Sequence, residues 1–189
     1  MPRIFISYRR QDSKDITGRI HEHLSAAFGE HNVFRDVYDI APGSDFRAVL
    51  NEEVGKCDTF LAVIGPDWSS INDTDGNRRL LNPNDFVRIE VESALKRHET
   101  RVIPILVNKA SMPKAEELPE SIQDIHLRNA FAVRPDPDFP HDMATLISHL
   151  KLPSRIPFDW RKRIGLLLPL ATLTCTACRR KCRVRCAVP

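Results

Sequence analysis

Cysteine is scarce in most of this sequence. Cys57 is the single cysteine in residues 1–152, and the other four lie between positions 175 and 186. Proteins of oxidising compartments commonly rely on disulfides, so this distribution indicates a reducing compartment and predicts a cytoplasmic location for residues 1–152. The first ten residues, MPRIFISYRR, begin a strand pattern at once. They contain no apolar run followed by a small-residue cleavage site, which predicts that no secretory signal is present.

A large net charge of one sign is also missing. The whole chain has a formal net charge of +3, but the charge is unevenly distributed. Residues 153–189 contain nine Lys and Arg against one acidic residue, a net charge of +8. Residues 1–152 contain 19 basic and 24 acidic residues, a net charge of −5. A mildly acidic segment is not typical of nucleic-acid binding, so we expect no nucleic-acid partner for residues 1–152.

Several common catalytic and metal-binding patterns are absent. The sequence has no phosphate-binding loop, no Ser/His/Asp arrangement, no internal repeat and no low-complexity tract. His21 and His23 are two positions apart in a helical pattern, and such residues project from different faces of a helix. Because they also lack partner ligands, we predict no metal site in residues 1–152.

Short apolar runs alternate with helical patterns through residues 1–152. The run TFLAVIG (59–65) is apolar on both faces, as expected for a parallel strand covered by helices on both sides. The patterns predict strands at 3–8, 32–37, 59–65, 101–107 and 129–133, helices at 15–28, 45–54, 85–95 and 142–151, and a loop with a short helix at 113–129. Asn84 is the expected N-cap of the helix at 85–95. The alternation predicts an α/β fold with a doubly wound, five-stranded parallel sheet.

Polar segments follow three of the predicted strands. In an open parallel sheet, ligands bind outside the C-terminal ends of the strands, where these segments meet. SYRRQDS (7–13) follows the first strand, DVYDIAPGSD (36–45) follows the second, and a polar loop at 66–84 follows the third. The fold therefore predicts a common rim, formed by Arg9, Arg10, the loop at 36–44 and Glu90.

Two glutamates, Glu90 and Glu92, lie in the predicted helix DFVRIEVESAL (85–95). With Val91 at the centre of the apolar stripe, each glutamate lies about 100° from that centre, on opposite edges. Phe86 is one turn before Glu90 and on the same side, so an aromatic ring and a carboxylate would line one groove. This spacing alone does not distinguish a functional Glu90 from an ordinary exposed glutamate.

Four segments, in order and at matching spacing, resemble the Toll/interleukin-1 receptor (TIR) domain family, particularly its bacterial members. They are RIFISYRRQDS, FRDVYDIAPGSDFRAVL, CDTFLAVIGPDW and NDFVRIEVESALKR followed by VIPILV. The resemblance covers roughly residues 1–150 and implies the flavodoxin-like TIR fold, with five parallel strands and helices on both faces. It also implies one of two functions, because some family members are signalling adaptors and others cleave NAD+ at the bond to nicotinamide.

In the enzymatic members an essential glutamate lies on the third helix, in a motif written WxxxE. The segment DFVRIE aligns Glu90 with that glutamate and Phe86 with the tryptophan, whereas Glu92 aligns with no functional position. The resemblance thus implies that Glu90 is catalytic, that Phe86 contacts the substrate NAD+, and that no separate cofactor is needed. One carboxylate suffices because nicotinamide in NAD+ is already cationic and leaves without gaining a proton, unlike the leaving oxygen of a glycoside.

The resemblance also implies further substrate contacts. Arg9 and Arg10 are expected to bind the diphosphate of NAD+, since a guanidinium matches phosphate oxygens; a solvated pair of arginines is the alternative. Phe46 is expected to stack on a base or on nicotinamide, and a position in the core is its alternative. Asp36 and Ser44 are additional substrate-binding candidates.

The loop after the second strand is the expected contact with other TIR domains. Asp39, Ile40, Pro42 and Gly43 belong to it, and the Pro-Gly pair lets the chain bend sharply. Self-association would complete the active site of an enzyme, and it would be the whole function of a non-enzymatic adaptor. We expect an NAD+ glycohydrolase or ADP-ribosyl cyclase in bacterial defence or signalling, with the adaptor as the alternative.

The C-terminal segment differs in composition from the rest of the chain. We predict a TIR domain at 1–152, a basic linker at 153–163, a short apolar segment at 164–178 and a basic, cysteine-containing tail at 179–189. As a helix the apolar segment would extend about 23 Å, less than the roughly 30 Å hydrocarbon core of a membrane. Arg163 and Arg179 at its ends can make up part of the difference. Three interpretations stay open: an anchor that tethers the cytoplasmic domain to the inner membrane, an unstructured tail, and a zinc site formed by the cysteines.

Overall fold

Five parallel strands form the sheet of this protein, in the order β2-β1-β3-β4-β5. The structure is a computed structural model and describes residues 1–35, 52 and 54–152. The strands are β1 (Ile4–Ser7), β2 (Val33–Arg35), β3 (Thr59–Ile64), β4 (Arg101–Val107) and β5 (Phe131–Val133). All neighbouring strands pair in parallel. The predicted five-stranded parallel sheet is therefore confirmed, and each observed strand lies within its predicted range.

The chain divides into two units, Met1–Ser154 and Arg155–Pro189. The predicted linker, apolar segment and cysteine-containing tail lie outside the described residues, as does most of the predicted helix at 45–54. Among the helices that the structure describes, none is long and apolar enough to span a membrane. The domain boundary at residue 152 and the three interpretations of the C-terminal segment stay predictions.

The described α-helices are the first helix (Arg10–Phe28), the glutamate helix (Phe86–Leu95) and the closing helix (Phe139–Lys151). The first helix begins earlier than the predicted start at residue 15, and it is interrupted at Ser13, whose φ of −142° and ψ of 22° are not helical. The closing helix also begins earlier than predicted, with a proline in its first turn, where a missing N–H costs no hydrogen bond. Short 3₁₀ helices occur at Glu30–Asn32, Arg79–Leu81, Ala115–Glu117 and Glu120–Leu127.

Helices cover both faces of the sheet, because successive residues of each strand project to opposite sides. One core joins the sheet to the first and closing helices and includes Ile4, Ile6, Tyr8, Ile20, Leu24, Phe139 and Met143. The other core joins the sheet to the glutamate helix and the Glu120–Leu127 helix and includes Phe5, Phe60, Val87, Val91, Ala94 and Ile122. Burial on both faces is the physical reason for the continuous apolar runs of β1 and β3.

The strands β1 and β3 are neighbours, but the chain leaves them toward opposite faces of the sheet. After β1 it enters the first helix, and after β3 it follows a long loop to the glutamate helix. Connections that diverge from adjacent parallel strands open a crevice at the C-terminal edge of the sheet. The residues after Ser7 and Ile64, and those in the first turns of the glutamate helix, are therefore near this crevice.

Candidate active site

Glu90 is a buried carboxylate, with 9% of its surface exposed. The hydroxyl of Ser7, the last residue of β1, donates a hydrogen bond to Glu90 Oε2 at 2.5 Å. The interpretation of Glu90 as an ordinary exposed glutamate is therefore wrong. This bond connects the glutamate helix directly to the edge of the sheet where the crevice opens.

Glu92 lies on the other side of the same helix and has a different environment. Arg88 Nε donates to Glu92 Oε1 at 2.8 Å, and the Ser121 hydroxyl donates to the same oxygen. Burial raises the pKa of Glu92, but the hydrogen bonds from Ser121 and Arg88 lower it by more, so this pKa lies below its ordinary value. Glu92 thus joins the glutamate helix to the Glu120–Leu127 helix. It is partly buried and forms an ion pair with Arg88.

Phe86, one turn before Glu90, is 50% exposed. Its neighbours Asp85 and Val87 are both buried, so the ring occupies the solvent-facing edge of the first turn. An aromatic side chain at this position presents apolar surface next to the helix face that carries Glu90. The predicted proximity of Phe86 and Glu90 in the helix agrees with this arrangement, and contact with a substrate stays a prediction.

Asp85, and not the expected Asn84, is the N-cap of the glutamate helix. Its carboxylate accepts a hydrogen bond from the backbone N–H of Arg88 at 3.1 Å. The prediction of Asn84 was wrong by one residue because both residue types are good caps, and the tertiary contacts of Asp85 decide between them. The carboxylate also lies at the positive end of the helix dipole, which stabilises its charge.

Arg9 and Arg10 project in different directions. Arg9 is 3% exposed, and its guanidinium forms a bidentate pair with Asp85, at 3.0 Å from Nη1 to Oδ2 and 2.9 Å from Nη2 to Oδ1. Its Nε donates to the backbone carbonyl of Trp68 at 2.8 Å. The alternative of a solvated arginine pair is therefore wrong for Arg9. Binding of a diphosphate by Arg9 stays a prediction, which this buried pairing does not favour.

Arg10 is exposed and is the first residue of the first helix. It lines an open cleft of about 540 Å³ together with Tyr8, Lys14 and Arg35. A second cleft, of about 470 Å³, also includes Arg10. Neither of these two clefts is lined by Glu90. The two arginines that the sequence places on one rim are separated because the chain changes from extended backbone at Arg9 to the first helix at Arg10.

Asp12 connects the first helix to the exit of β3. Its carboxylate accepts hydrogen bonds from the backbone N–H groups of Gly65 at 2.9 Å and Asp67 at 3.0 Å. Burial raises the pKa of Asp12, although the same two hydrogen bonds act in the opposite direction. A Cβ atom on residue 65 would lie 2.3 Å from Asp12 Oδ2. Glycine at this position is therefore required for the carboxylate to approach the backbone.

Several predicted functional residues lie outside the described part of the chain. These are the substrate-binding candidates Asp36, Ser44 and Phe46 and the interaction-loop residues Asp39, Ile40, Pro42 and Gly43. Their predicted roles stay predictions. In residues 1–35, 52 and 54–152 no group of three or more His, Cys, Asp or Glu side chains is arranged to bind a metal ion.

A family model for the TIR domain matches residues 4–144, a range that includes all five strands and Glu90. The chain belongs to the TIR-domain family. The family membership and the TIR fold implied by the sequence resemblance are thus confirmed. No curated protein matches the chain.

Solved structures show the same fold at low sequence identity. The TIR domains of the activated Roq1 resistosome, which directly recognizes the pathogen effector XopQ, match with a TM-score of 0.59 and 12% identity, over 79% of this chain and 99% of that chain. A prokaryotic SEFIR domain matches with a TM-score of 0.52 and 15% identity, over 80% of this chain and 100% of that chain. A metazoan TIR-STING receptor from C. gigas, in complex with 2',3'-cGAMP, matches with a TM-score of 0.50 and 16% identity, over 78% of this chain and 40% of that chain. Identities this low show a shared fold and no more.

Three side chains that organise this TIR domain around Glu90 were not predicted as such from the sequence: Ser7, Asp12 and Asp85. A local signal was present for two of them. The two-residue period of a strand places Ser7 and Arg9 on the side of Phe5, beneath the glutamate helix, and an aspartate directly before a helix is a common cap. For Asp12 no comparable local signal exists, because its partners lie beyond the next two strands in sequence.

Proposed function

We propose that this TIR domain cleaves NAD+ at the bond between nicotinamide and ribose, as a glycohydrolase or an ADP-ribosyl cyclase, with Glu90 as the catalytic carboxylate. The observation that carries the proposal is the buried position of Glu90 at the C-terminal edge of β1, hydrogen-bonded by Ser7. This edge of the sheet is where ligands of open parallel sheets bind, so a carboxylate held there by β1 is placed to meet a substrate.

Cleavage of the bond between nicotinamide and ribose requires few protein groups besides the carboxylate. Nicotinamide is bound to ribose through a quaternary, cationic nitrogen, so the C–N bond breaks with the electron pair going to the ring and without protonation. Positive charge develops on the ribose carbon and ring oxygen, and a fixed carboxylate in a water-poor site stabilises that charge. Attack by water then gives ADP-ribose and a proton, whereas attack by an adenine nitrogen gives a cyclic product.

Phe86 and Arg10 are the described residues that we assign to substrate contact. The half-exposed ring of Phe86 provides a stacking surface for a base or for nicotinamide, and the exposed guanidinium of Arg10 provides a fork for phosphate oxygens. Asp36, Ser44 and Phe46, from the loop after β2, complete the proposed substrate site. In this proposal NAD+ is the substrate, and no further cofactor takes part.

We further propose that the domain is active when it self-associates, through the loop that contains Asp39, Ile40, Pro42 and Gly43. Two of the solved structures with this fold are described as a resistosome and as a receptor bound to a nucleotide signal, which supports a role in immune signalling. A cytoplasmic domain in bacterial defence, tethered at the inner membrane through residues 164–178, is the cellular setting that we propose.

The experiment measures nicotinamide release from NAD+ by the purified full-length protein, in dilute solution and under crowding conditions that promote assembly. We expect release that Glu90→Gln lowers by about 100-fold or more, because the charge that stabilises the transition state is lost. Glu92→Gln is the matched control, since it removes a carboxylate from the same helix on the side away from Ser7. Activity that survives Glu90→Gln would exclude Glu90 from the mechanism.

The alternative function is a non-enzymatic TIR–TIR adaptor. It predicts self-association that is lost on substitution of Pro42 and Gly43, with no nicotinamide release under any condition. If the protein does release nicotinamide, chromatography of the reaction products shows whether linear or cyclic ADP-ribose is formed.

A further inference from the structure

The ion pair between Arg9 and Asp85 joins three segments that surround Glu90. Arg9 is the N-cap of the first helix, and Asp85 is the N-cap of the glutamate helix. The third partner, the carbonyl of Trp68, belongs to the loop after β3. Both charged side chains are almost fully buried, at 3% and 2% exposure. A buried charge is stable only while its partner is in place, so this pair fixes the three segments relative to one another.

The strand geometry relates this ion pair to Glu90. Phe5 and Ser7 lie on one side of β1, and Phe5 packs in the core beneath the glutamate helix. Arg9 lies beyond the end of β1, but its backbone is still extended, so it continues this two-residue period. Ser7 contacts Glu90 in the second turn of the glutamate helix, and Arg9 contacts Asp85 at its start. These two residues thus determine both where the helix begins and where its carboxylate lies.

We propose that Arg9 and Asp85 are positioning residues for Glu90, and that Arg9 acts through this ion pair and not by binding the phosphates of a substrate. The proposal rests on the proposed NAD+ cleavage. A bidentate pair that also caps a helix restricts rotation and sliding of the helix along the sheet. Catalysis by a single carboxylate is sensitive to its placement, because a displacement of about 1 Å can cost a factor of about 100 in rate.

Two conservative substitutions each break the Arg9–Asp85 ion pair and keep another property of the same side chain. Asp85→Asn keeps an oxygen that can cap the helix but removes the charge that Arg9 requires. Arg9→Lys keeps the positive charge but removes the planar fork. In full-length protein under assembly conditions, we expect each variant to lower kcat by about 10-fold to 100-fold, with KM changed less than about twofold. Asp85 also pairs with Arg79, whose Nε lies 3.5 Å from Asp85 Oδ2. The double variant should therefore be no worse than Asp85→Asn alone, because that substitution already removes the contact with Arg9.

The matched control is another bidentate Arg–Asp pair, formed by Arg134 and Asp142. Arg134 Nε and Nη2 donate to the two oxygens of Asp142 at 2.9 and 2.7 Å, and this pair lies at the start of the closing helix, away from Glu90. Arg134→Lys and Asp142→Asn should lower thermal stability without lowering kcat. An Arg9→Lys variant with raised KM and unchanged kcat, beside an Asp85→Asn variant with normal kinetics, would overturn the proposal and assign Arg9 to substrate binding.

Hydrogen–deuterium exchange tests the same proposal without activity. The amide of Arg88 donates to Asp85 Oδ1, and the amide of Ile89 donates to the Asp85 carbonyl. If the pair fixes the helix, Asp85→Asn and Arg9→Lys should each raise exchange at these amides by about 10-fold relative to the closing helix. If the wild-type protein releases no nicotinamide, the proposed function fails while this measurement still decides on the ion pair. Unchanged exchange in both variants would overturn the positioning role, and if one variant does not fold, the other is measured.

Discussion

Replacing Ser7 by alanine tests the contact on which the candidate site depends. The substitution removes the hydroxyl that donates to Glu90 Oε2 at 2.5 Å and leaves a buried carboxylate with one donor fewer. Hydrogen bonds to charged groups contribute about 1.5–3 kcal/mol to stability, and alanine leaves only a small space in place of the hydroxyl. We therefore expect Ser7→Ala to lower the free energy of unfolding by about 1.5–3 kcal/mol.

The measurement is a double-mutant cycle by urea denaturation, with Ser7→Ala, Glu90→Ala and the double variant. In the Glu90→Ala background the acceptor is gone, so Ser7→Ala should cost much less, and the coupling energy should reach about 1.5–3 kcal/mol. Thr17→Val is the control, because Thr17 is buried and its hydroxyl has no hydrogen-bond partner among the described residues. Valine has the same shape and removes a buried hydroxyl without a partner, so this control should leave the free energy of unfolding unchanged or raise it. If the two substitutions Ser7→Ala and Glu90→Ala are additive within about 0.5 kcal/mol, the reasoning from this bond is refuted.

Three further predictions concern other parts of the domain. Gly65→Ala should lower the free energy of unfolding by about 1–3 kcal/mol, since its Cβ would lie 2.3 Å from Asp12 Oδ2; an unchanged urea midpoint would contradict this. The hydrogen bond from Arg134 lowers the pKa of Asp142 in the folded protein. The ionised Asp142 therefore stabilises the fold at pH values above its pKa in the unfolded chain, and this stabilisation is lost as the pH falls through its pKa in the folded protein. Asp142→Asn should therefore flatten the loss of stability on acidification below about pH 4, as followed by thermal melts across pH. Phe86→Ala should change stability by less than about 0.5 kcal/mol because the ring is half exposed, but it should raise KM for NAD+. An unchanged KM would remove Phe86 from the substrate site.

The two glutamates of the glutamate helix show where prediction from sequence ends. Helical periodicity places Glu90 and Glu92 on equivalent edges of the apolar stripe, and both edges are compatible with exposure. In the structure one edge meets β1 and the other meets the Glu120–Leu127 helix. The difference depends on which element packs against each edge, and a helical wheel contains no information about that. The family motif distinguishes them in sequence, and the packing supplies the physical reason.

The two arginines after β1 show a different limit. Residues 9 and 10 are adjacent in sequence, and the rim expected from the fold includes both. In the structure the first helix begins at Arg10, earlier than the predicted start at residue 15, and this change of backbone conformation separates the two side chains. The ion-pair partner of Arg9 could not be predicted either, because in the sequence Asp85 is only one of two neighbouring residues that can cap the helix.

The sequence by itself determined the five strands of this TIR domain and the approximate positions of its three described α-helices. Continuous apolar runs specify strands buried on both faces, and their alternation with amphipathic segments specifies a parallel, doubly wound sheet. Only the tertiary structure decided which polar side chains meet at its C-terminal edge. Ser7 and Glu90 are 83 positions apart, and Arg9 and Asp85 are 76 apart. Local patterns reflect neighbours within one helical turn or one strand pair, whereas the surroundings of a buried carboxylate are set by packing between distant segments.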